Sequence, residues 1–203
     1  MCATSKDTSE TIVISSYYSD RRVNDLREIA CIWEVARATS AAMTFFDPMQ
    51  LGDSVFLDGG TGANNPVQKL WEEAQDMFSD GPEWKLEENL LCCVSIGTGL
   101  GHLKSFGESV LGTEIIDALV AITTNTEAVA ETFHRSHQSL FDRGLAYRFN
   151  VEQGLEEVGL ESAEKVGLIE EATRRYITLE KHNSSMRRCK GQLVQIESMS
   201  MFN

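Results

Sequence analysis

The stretch Val55-Phe56-Leu57-Asp58-Gly59-Gly60-Thr61-Gly62-Ala63-Asn64-Asn65-Pro66 constrains this chain more than any other. A short apolar run suited to a strand ends at one carboxylate, Asp58. The glycines at 59, 60 and 62 keep side chains off that acid and permit positive φ. Asn64 or Asn65 is placed to cap a helix whose first turn accepts Pro66. Val67, Leu70, Trp71, Ala74, Met77 and Phe78 then recur at helical spacing as one apolar stripe. A strand passing through a glycine-rich loop straight into a helix holds Asp58 at the edge of a sheet. A lone Asp-Gly is more often a turn that bonds its own loop. The strand before and the capped helix after give this one a wider context.

The rest of the chain alternates in the same way. Residues 1–5 read as the tail of a strand, Lys6-Asp7-Thr8-Ser9-Glu10 as a polar turn, and Thr11-Ile12-Val13-Ile14-Ser15 as a second strand. A hairpin whose first strand starts at the first residues leads to the expectation that the parent domain extends upstream. From Asp25 the period changes, and Leu26, Ile29, Ala30, Trp33, Ala36 and Arg37 predict one helix that ends before Asp47-Pro48. Gly52-Asp53 turns the chain into the Asp58 strand. Leu90-Leu91-Cys92-Cys93-Val94-Ser95-Ile96 has no alternation, which predicts a strand buried on both faces, closed by the tight loop Gly97-Thr98-Gly99. Helix is expected from about Leu111 to Ser139 and from Ser162 to about His182, with the strand Tyr147–Val151 between them. The organisation expected is a domain over 1–180 and a polar, loosely ordered tail over 181–203. Helices alternating with strands predict an α/β fold with helices on both faces of a sheet.

Composition narrows the function classes. Eighteen Lys and Arg against 31 Asp and Glu give a formal charge of −13. Such a surface repels nucleic acid and anionic head groups but leaves neutral lipid, held by apolar contact, as a ligand. The five cysteines, Cys2, Cys31, Cys92, Cys93 and Cys189, fit no zinc or disulfide spacing and read as reduced thiols of a cytoplasmic protein. The longest apolar run, Leu90 to Val94, is too short to cross a bilayer, and no transmembrane segment is expected. Gly97-Thr98-Gly99-Leu100-Gly101 lacks the spacing of a phosphate-binding loop.

Several motifs occur in one order. Ile32-Trp33-Glu34-Val35-Ala36-Arg37-Ala38-Thr39-Ser40-Ala41-Ala42-Met43-Thr44-Phe45-Phe46 is followed by Phe56-Leu57-Asp58-Gly59-Gly60 and Asn64-Asn65-Pro66. Val94-Ser95-Ile96-Gly97-Thr98-Gly99 comes next, then Tyr147-Arg148-Phe149-Asn150-Val151 with Gly154-Leu155. Together they resemble the C-terminal part of the patatin-like phospholipase domain, in its fungal-type form, over residues 1 to about 180. Met43 stands where that family usually has proline, a packing change away from the chemistry.

The resemblance implies a three-layer α/β hydrolase that cleaves lipid acyl esters with a serine–aspartate dyad and without metal or organic cofactor. Asp58 matches the dyad's base, and Gly59 and Gly60 complete its Asp-Gly-Gly motif. The segment Arg37–Phe46 is expected beside that site. No histidine is required, so His102, His134, His137 and His182 receive no role. The 203 residues contain no Gly-x-Ser-x-Gly nucleophile elbow and no triple-glycine oxyanion loop. Cys93-Val94-Ser95-Ile96-Gly97 lacks the first glycine and Gly107-Glu108-Ser109-Val110-Leu111 the last. Gly52-Asp53-Ser54-Val55 matches the serine block of another esterase family by chance, because it precedes a strand instead of ending one. The fold is therefore expected to lack its N-terminal strands, oxyanion loop and elbow, and the chain to be inactive alone. The expected partners are a lipid acyl ester, a transiently touched membrane surface and further domains of a longer parent. The alternative is a remnant of the same fold that binds lipid or a partner without catalysis.

Overall fold

The structure, a computed structural model, describes residues 1–19, 26–43, 45–79, 81–100 and 126–200, with side chains to 195. It is mixed α/β with two small sheets. The described residues divide into two compact units, one built mainly from Met1–Phe78 and the other mainly from residues after 130, together with the segment after Phe78.

The first unit holds an antiparallel sheet in the order β2-β1-β4-β3. Strand β1 is Cys2–Ser5 and β2 is Thr11–Val13, joined by the polar turn in the register Cys2↔Val13 and Thr4↔Thr11. Strand β4, Ser54–Leu57, pairs with β1 through Thr4↔Leu57 and Ser5↔Phe56. Strand β3, Met49–Leu51, pairs with β4 through a two-residue turn in which Gly52 has φ 59°. That left-handed conformation is what glycine supplies in a tight hairpin. One face of the sheet buries Ala3, Leu51 and Phe56 against Ile14, Leu26 and Ala38, with Ile12, Ala30, Val35 and Met49 around them. Burying Phe56 alone contributes roughly 1.5–3 kcal/mol.

The predicted helix from Asp25 is two pieces. A single 3-10 turn, Leu26–Glu28, is followed by helix α1, Ile32–Thr39. The restart has a local cause: Glu34 Oε2 accepts a hydrogen bond from Cys31 N at 2.7 Å, satisfying a donor at the helix start. The buried face runs through Leu26, Ala30, Val35 and Ala38. Trp33 sits two residues from Val35, about 200° round the helix, and is 63% exposed, so it does not belong to the core stripe.

After a short helix α2, Gly60–Ala63, helix α3 spans Val67–Phe78. Asn65 caps it, its Oδ1 accepting from Val67 N at 3.3 Å while its Nδ2 donates to Thr126 O at 3.1 Å. Of the expected stripe, Val67 and Trp71 are buried, whereas Leu70, Met77 and Phe78 are exposed. Asn65 is itself buried, so Asn65→Ala should lower unfolding free energy by about 1–2 kcal/mol, read as a fall in the urea midpoint.

The second unit contains helix α4, Leu86–Asn89, and strands β5, Cys93–Ile96, and β6, Ala146–Phe149, which pair in parallel from Cys93↔Ala146 to Ile96↔Phe149. Helices α5, Thr126–Ser136, of which residues 126–129 belong to the first unit, and α6, Gln138–Asp142, precede β6. The expectation of a strand buried on both faces does not hold for β5. Its residues are half-buried and Ile96 is 77% exposed, because the described residues give it one neighbouring strand only. Of the helix expected from Leu111, the part before Thr126 lies outside the described residues.

The last helix is also divided. A 3-10 turn, Ala163–Lys165, leads into α7, Val166–Thr178. The backbone is extended at Leu179, with ψ 131°, and α8 then runs Glu180–Ser200. A loosely ordered tail was the expectation from 181, yet this segment is helical. His182 and Cys189, seven residues apart and so on one face, are both buried. The His182 ring stacks on Tyr176 at 3.9 Å between centroids, and Tyr176 belongs to the unit's core with Val151, Leu155 and Ala172.

The thiols differ sharply in environment. Cys31 is exposed. Cys92 is pushed up to about 11, first by burial and then by the adjacent Cys189 and Cys93, and burial also raises Cys93 and Cys2. Because the thiolate is the nucleophile, iodoacetamide at pH 7.5 should alkylate Cys31 well before Cys92. Peptide mapping by mass spectrometry reads the order, and the lag at Cys92 should shrink as pH approaches 11.

Candidate functional site

Strand β4 ends at Leu57 and delivers Asp58 to a loop clamped from three sides. Its backbone N–H donates to Ala41 O at 3.1 Å, and its carbonyl accepts from Thr4 Oγ1 at 2.8 Å. Gly59 N donates to Thr39 O at 3.1 Å, and Thr39 Oγ1 donates to Cys2 O at 2.5 Å. Residues 39–41, at the end of α1, are thereby stitched to the loop and to β1. Later in the expected flanking segment, Met43, Phe45 and Phe46 are exposed and do not line the Asp58 cleft, and Arg37 lies over the Phe46 ring at 4.9 Å.

The glycines are needed for closeness and not for positive φ. Gly59 has φ −62°, an ordinary helical value, and neither Gly60 nor Gly62 has positive φ. A Cβ on Gly59 would lie 2.2 Å from Cys2 O, on Gly60 2.8 Å from Asp58 Oδ1, and on Gly62 2.3 Å from Thr11 Oγ1. The motif lets the loop lie directly on β1 and fold back over its own carboxylate.

Asp58 is half-buried, and its Oδ1 accepts from Gly60 N at 2.5 Å. That bond fixes the plane of the carboxylate and leaves Oδ2 as the oxygen for an incoming proton donor. Asp58, Gly59 and Gly60 all line one cleft of about 520 Å³. Val13, Ala63, Pro66 and Leu70 give it apolar walls, and Tyr17, Lys69 and Glu73 a polar side. Tyr17 Oη donates to Glu73 Oε2 at 2.5 Å. The exposure of Leu70 is explained by this cleft, since it faces an open groove and not the core. Of the lining residues, Val13, Thr39, Asn64, Pro66, Leu70 and the Asp-Gly-Gly motif carried a sequence signal. Tyr17, Lys69 and Glu73 come from a linker and the polar face of α3, where solvated side chains are the ordinary expectation.

The cleft gives a carboxylate, apolar walls and a short polar rim, which suits an uncharged, partly apolar substrate and proton transfer at Asp58. Part of the chain is similar to known proteins. Over 119 residues, 59% of this chain, it is 28% identical to calcium-independent phospholipase A2-gamma of Homo sapiens, covering 14% of that protein. Against the gamma protein of Rattus norvegicus it is 30% identical over 122 residues, again 59% of the chain and 14% of the relative. Against the 85/88 kDa calcium-independent phospholipase A2 of Rattus norvegicus it is 40% identical over 72 residues, 34% of the chain and 8% of the relative.

This chain is similar to calcium-independent phospholipases A2. The similarity is partial, and the chain spans 14% or less of the length of these relatives. No protein-family model matches it. The similarity supports the patatin-like resemblance at the level of phospholipases and reaches no finer subdivision.

Ser95, in β5, accepts a hydrogen bond from Arg148 Nη1 at 2.9 Å and is not among the residues of the Asp58 cleft. Ser109 lies outside the described residues. Among the described residues no group of three or more His, Cys, Asp or Glu could hold a metal ion. No helix among them is long and apolar enough to cross a membrane.

Proposed function

We propose that this chain is the C-terminal part of a patatin-like, fungal-type lipid acyl hydrolase of the cytoplasm, and that Asp58 is the base of its serine–aspartate dyad. The observation that carries this reading is the Asp58 carboxylate itself, oriented by Gly60 N at the end of β4 and opening on an apolar-walled cleft. The partial similarity to phospholipases A2 supports it. In the first step a serine hydroxyl attacks the ester carbonyl while Asp58 Oδ2 takes its proton. The acyl group is now on the serine, and the proton returns to the departing alkoxide. In the second step Asp58 takes a proton from water as it attacks the acyl carbonyl, the acyl–serine bond breaks to release the fatty acid, and Asp58 returns the proton to the serine oxygen. The serine comes from outside these 203 residues, so Asp58 has no nucleophile to activate in this chain alone. Contact with membrane is transient and made at its surface.

The test is an assay with a fluorogenic phosphatidylcholine. The 203-residue chain alone should be inactive. Joined to upstream coding sequence bearing Gly-x-Ser-x-Gly, it should turn over, and activity should survive EDTA. An extended protein that folds but does not hydrolyse the ester would sink the reading in favour of a non-catalytic binding module.

A further inference from the structure

The second unit carries a cleft that hydrolysis does not use. It measures about 460 Å³ and is lined by Arg135 and His134 of α5, Arg148 of β6, Phe141 of α6, and Ala130 and Glu131. In a chain with a formal charge of −13, a cavity with two guanidiniums and an imidazole against one carboxylate reverses the local sign.

Arg148 is set in place by its neighbours, whereas Arg135 is exposed. Arg148 is half-buried, its Nη1 donates to Ser95 Oγ at 2.9 Å, and its Nη2 lies so close to Gly97 that a Cβ there would come within 2.7 Å. Side-chain freedom that a surface arginine would lose on binding is therefore already restricted. The His134 ring is held against Phe141 at 4.3 Å between centroids. Arg148 belongs to a strand whose neighbour β5 ends in the loop at Gly97, and the carboxyl ends of parallel strands are where α/β sheets take ligands. Guanidinium forks match the oxygens of a phosphate in a way that a lysine does not.

We infer that this cleft binds a phosphate monoester, with Arg135 and Arg148 on the phosphoryl oxygens and His134 as a further donor. Two arginines favour the dianion of a monoester over the single charge of a diester. Glu131 repels a second anionic group on the ligand but accepts a hydrogen bond from a hydroxyl next to the ester, so a hydroxylated monoester is preferred over one with a carboxylate. The phosphate can be presented by a soluble metabolite or by a monoester lipid headgroup, and both satisfy the same chemistry.

The experiment titrates the full chain with glycerol 3-phosphate and with inorganic phosphate by calorimetry at two salt concentrations. In parallel it measures co-sedimentation with phosphatidylcholine vesicles with and without phosphatidic acid. One saturable, salt-weakened site is expected, with glycerol 3-phosphate preferred. Arg135→Gln and Arg148→Gln should each raise Kd about tenfold or more, as loss of a hydrogen bond to a charged group implies, while Arg174→Gln, at an exposed position of α7, should not. Thermal melts confirm that the variants fold, and Arg135, being exposed, decides the matter if Arg148→Gln does not. Binding of soluble monoester identifies a metabolite, and binding of phosphatidic acid vesicles alone identifies a lipid headgroup. Absence of both, or binding indifferent to both arginine substitutions, overturns the inference.

Discussion

Asp58→Asn should reduce ester hydrolysis by the serine-bearing extended protein about 10²–10⁴-fold, the range expected when a positioned general base is removed. The fold should scarcely change. Asn keeps an oxygen able to accept from Gly60 N, the bond that orients the side chain. The remaining ties of residue 58 are through its backbone, to Ala41 O and from Thr4 Oγ1 and Thr61 N, and the substitution leaves all three in place. The stability difference should therefore stay within about 1 kcal/mol. An amide at this place still fills the cleft and still binds substrate, so KM should move little while kcat falls. Measuring both against urea unfolding separates a chemical role from a structural one. Parent-level turnover by a folded Asp58→Asn protein would remove Asp58 from the mechanism.

The legibility of this fold follows from where its information is local. The β1–β2 hairpin, the strand before Asp58 and the cap of α3 are written in adjacent residues, and the chain can be read there directly. Asn65 is both a cap in the sequence and a cap in space. Boundaries set by packing are harder. Helix α1 restarts at Ile32 because Glu34 reaches back to Cys31 N, so the exposed Trp33 cannot be assigned to the core by counting from Leu26. Strand β3 is three residues long and exists through its pairing with β4, and Met49-Gln50-Leu51 alone carries little strand signal. Helix α8 is concealed by polarity: its buried face is marked by His182 and Cys189, residue types that a hydrophobic stripe does not count. At the site, the Asp-Gly-Gly motif announces itself, but the reason for its glycines does not. Positive φ is the usual inference from glycine, and the cause here is the approach of β1, which is a tertiary fact.

Gly59→Ala and Gly60→Ala should separate these two functions of the motif. At Gly59 the added methyl would sit 2.2 Å from Cys2 O and 2.8 Å from Cys2 C, both backbone atoms of β1. The dihedrals suit alanine, so the whole cost is steric. Relief requires β1 and the loop to part. That strains the bonds from Gly59 N to Thr39 O and from Thr39 Oγ1 to Cys2 O, and opens the core beneath Ala3. A loss of about 3 kcal/mol is expected, in the upper part of the range for overpacking, seen as a lower urea midpoint with an unchanged slope. At Gly60 the methyl meets a side chain, 2.8 Å from Asp58 Oδ1. The carboxylate can rotate away at the expense of its bond from Gly60 N, and alanine is the better residue within α2, which offsets part of the loss. Stability should change by about 1 kcal/mol or less, while hydrolysis by the extended protein should fall at least about tenfold as the base leaves its fixed plane. Equal effects of the two substitutions on both stability and turnover would show that the loop does not divide its work this way.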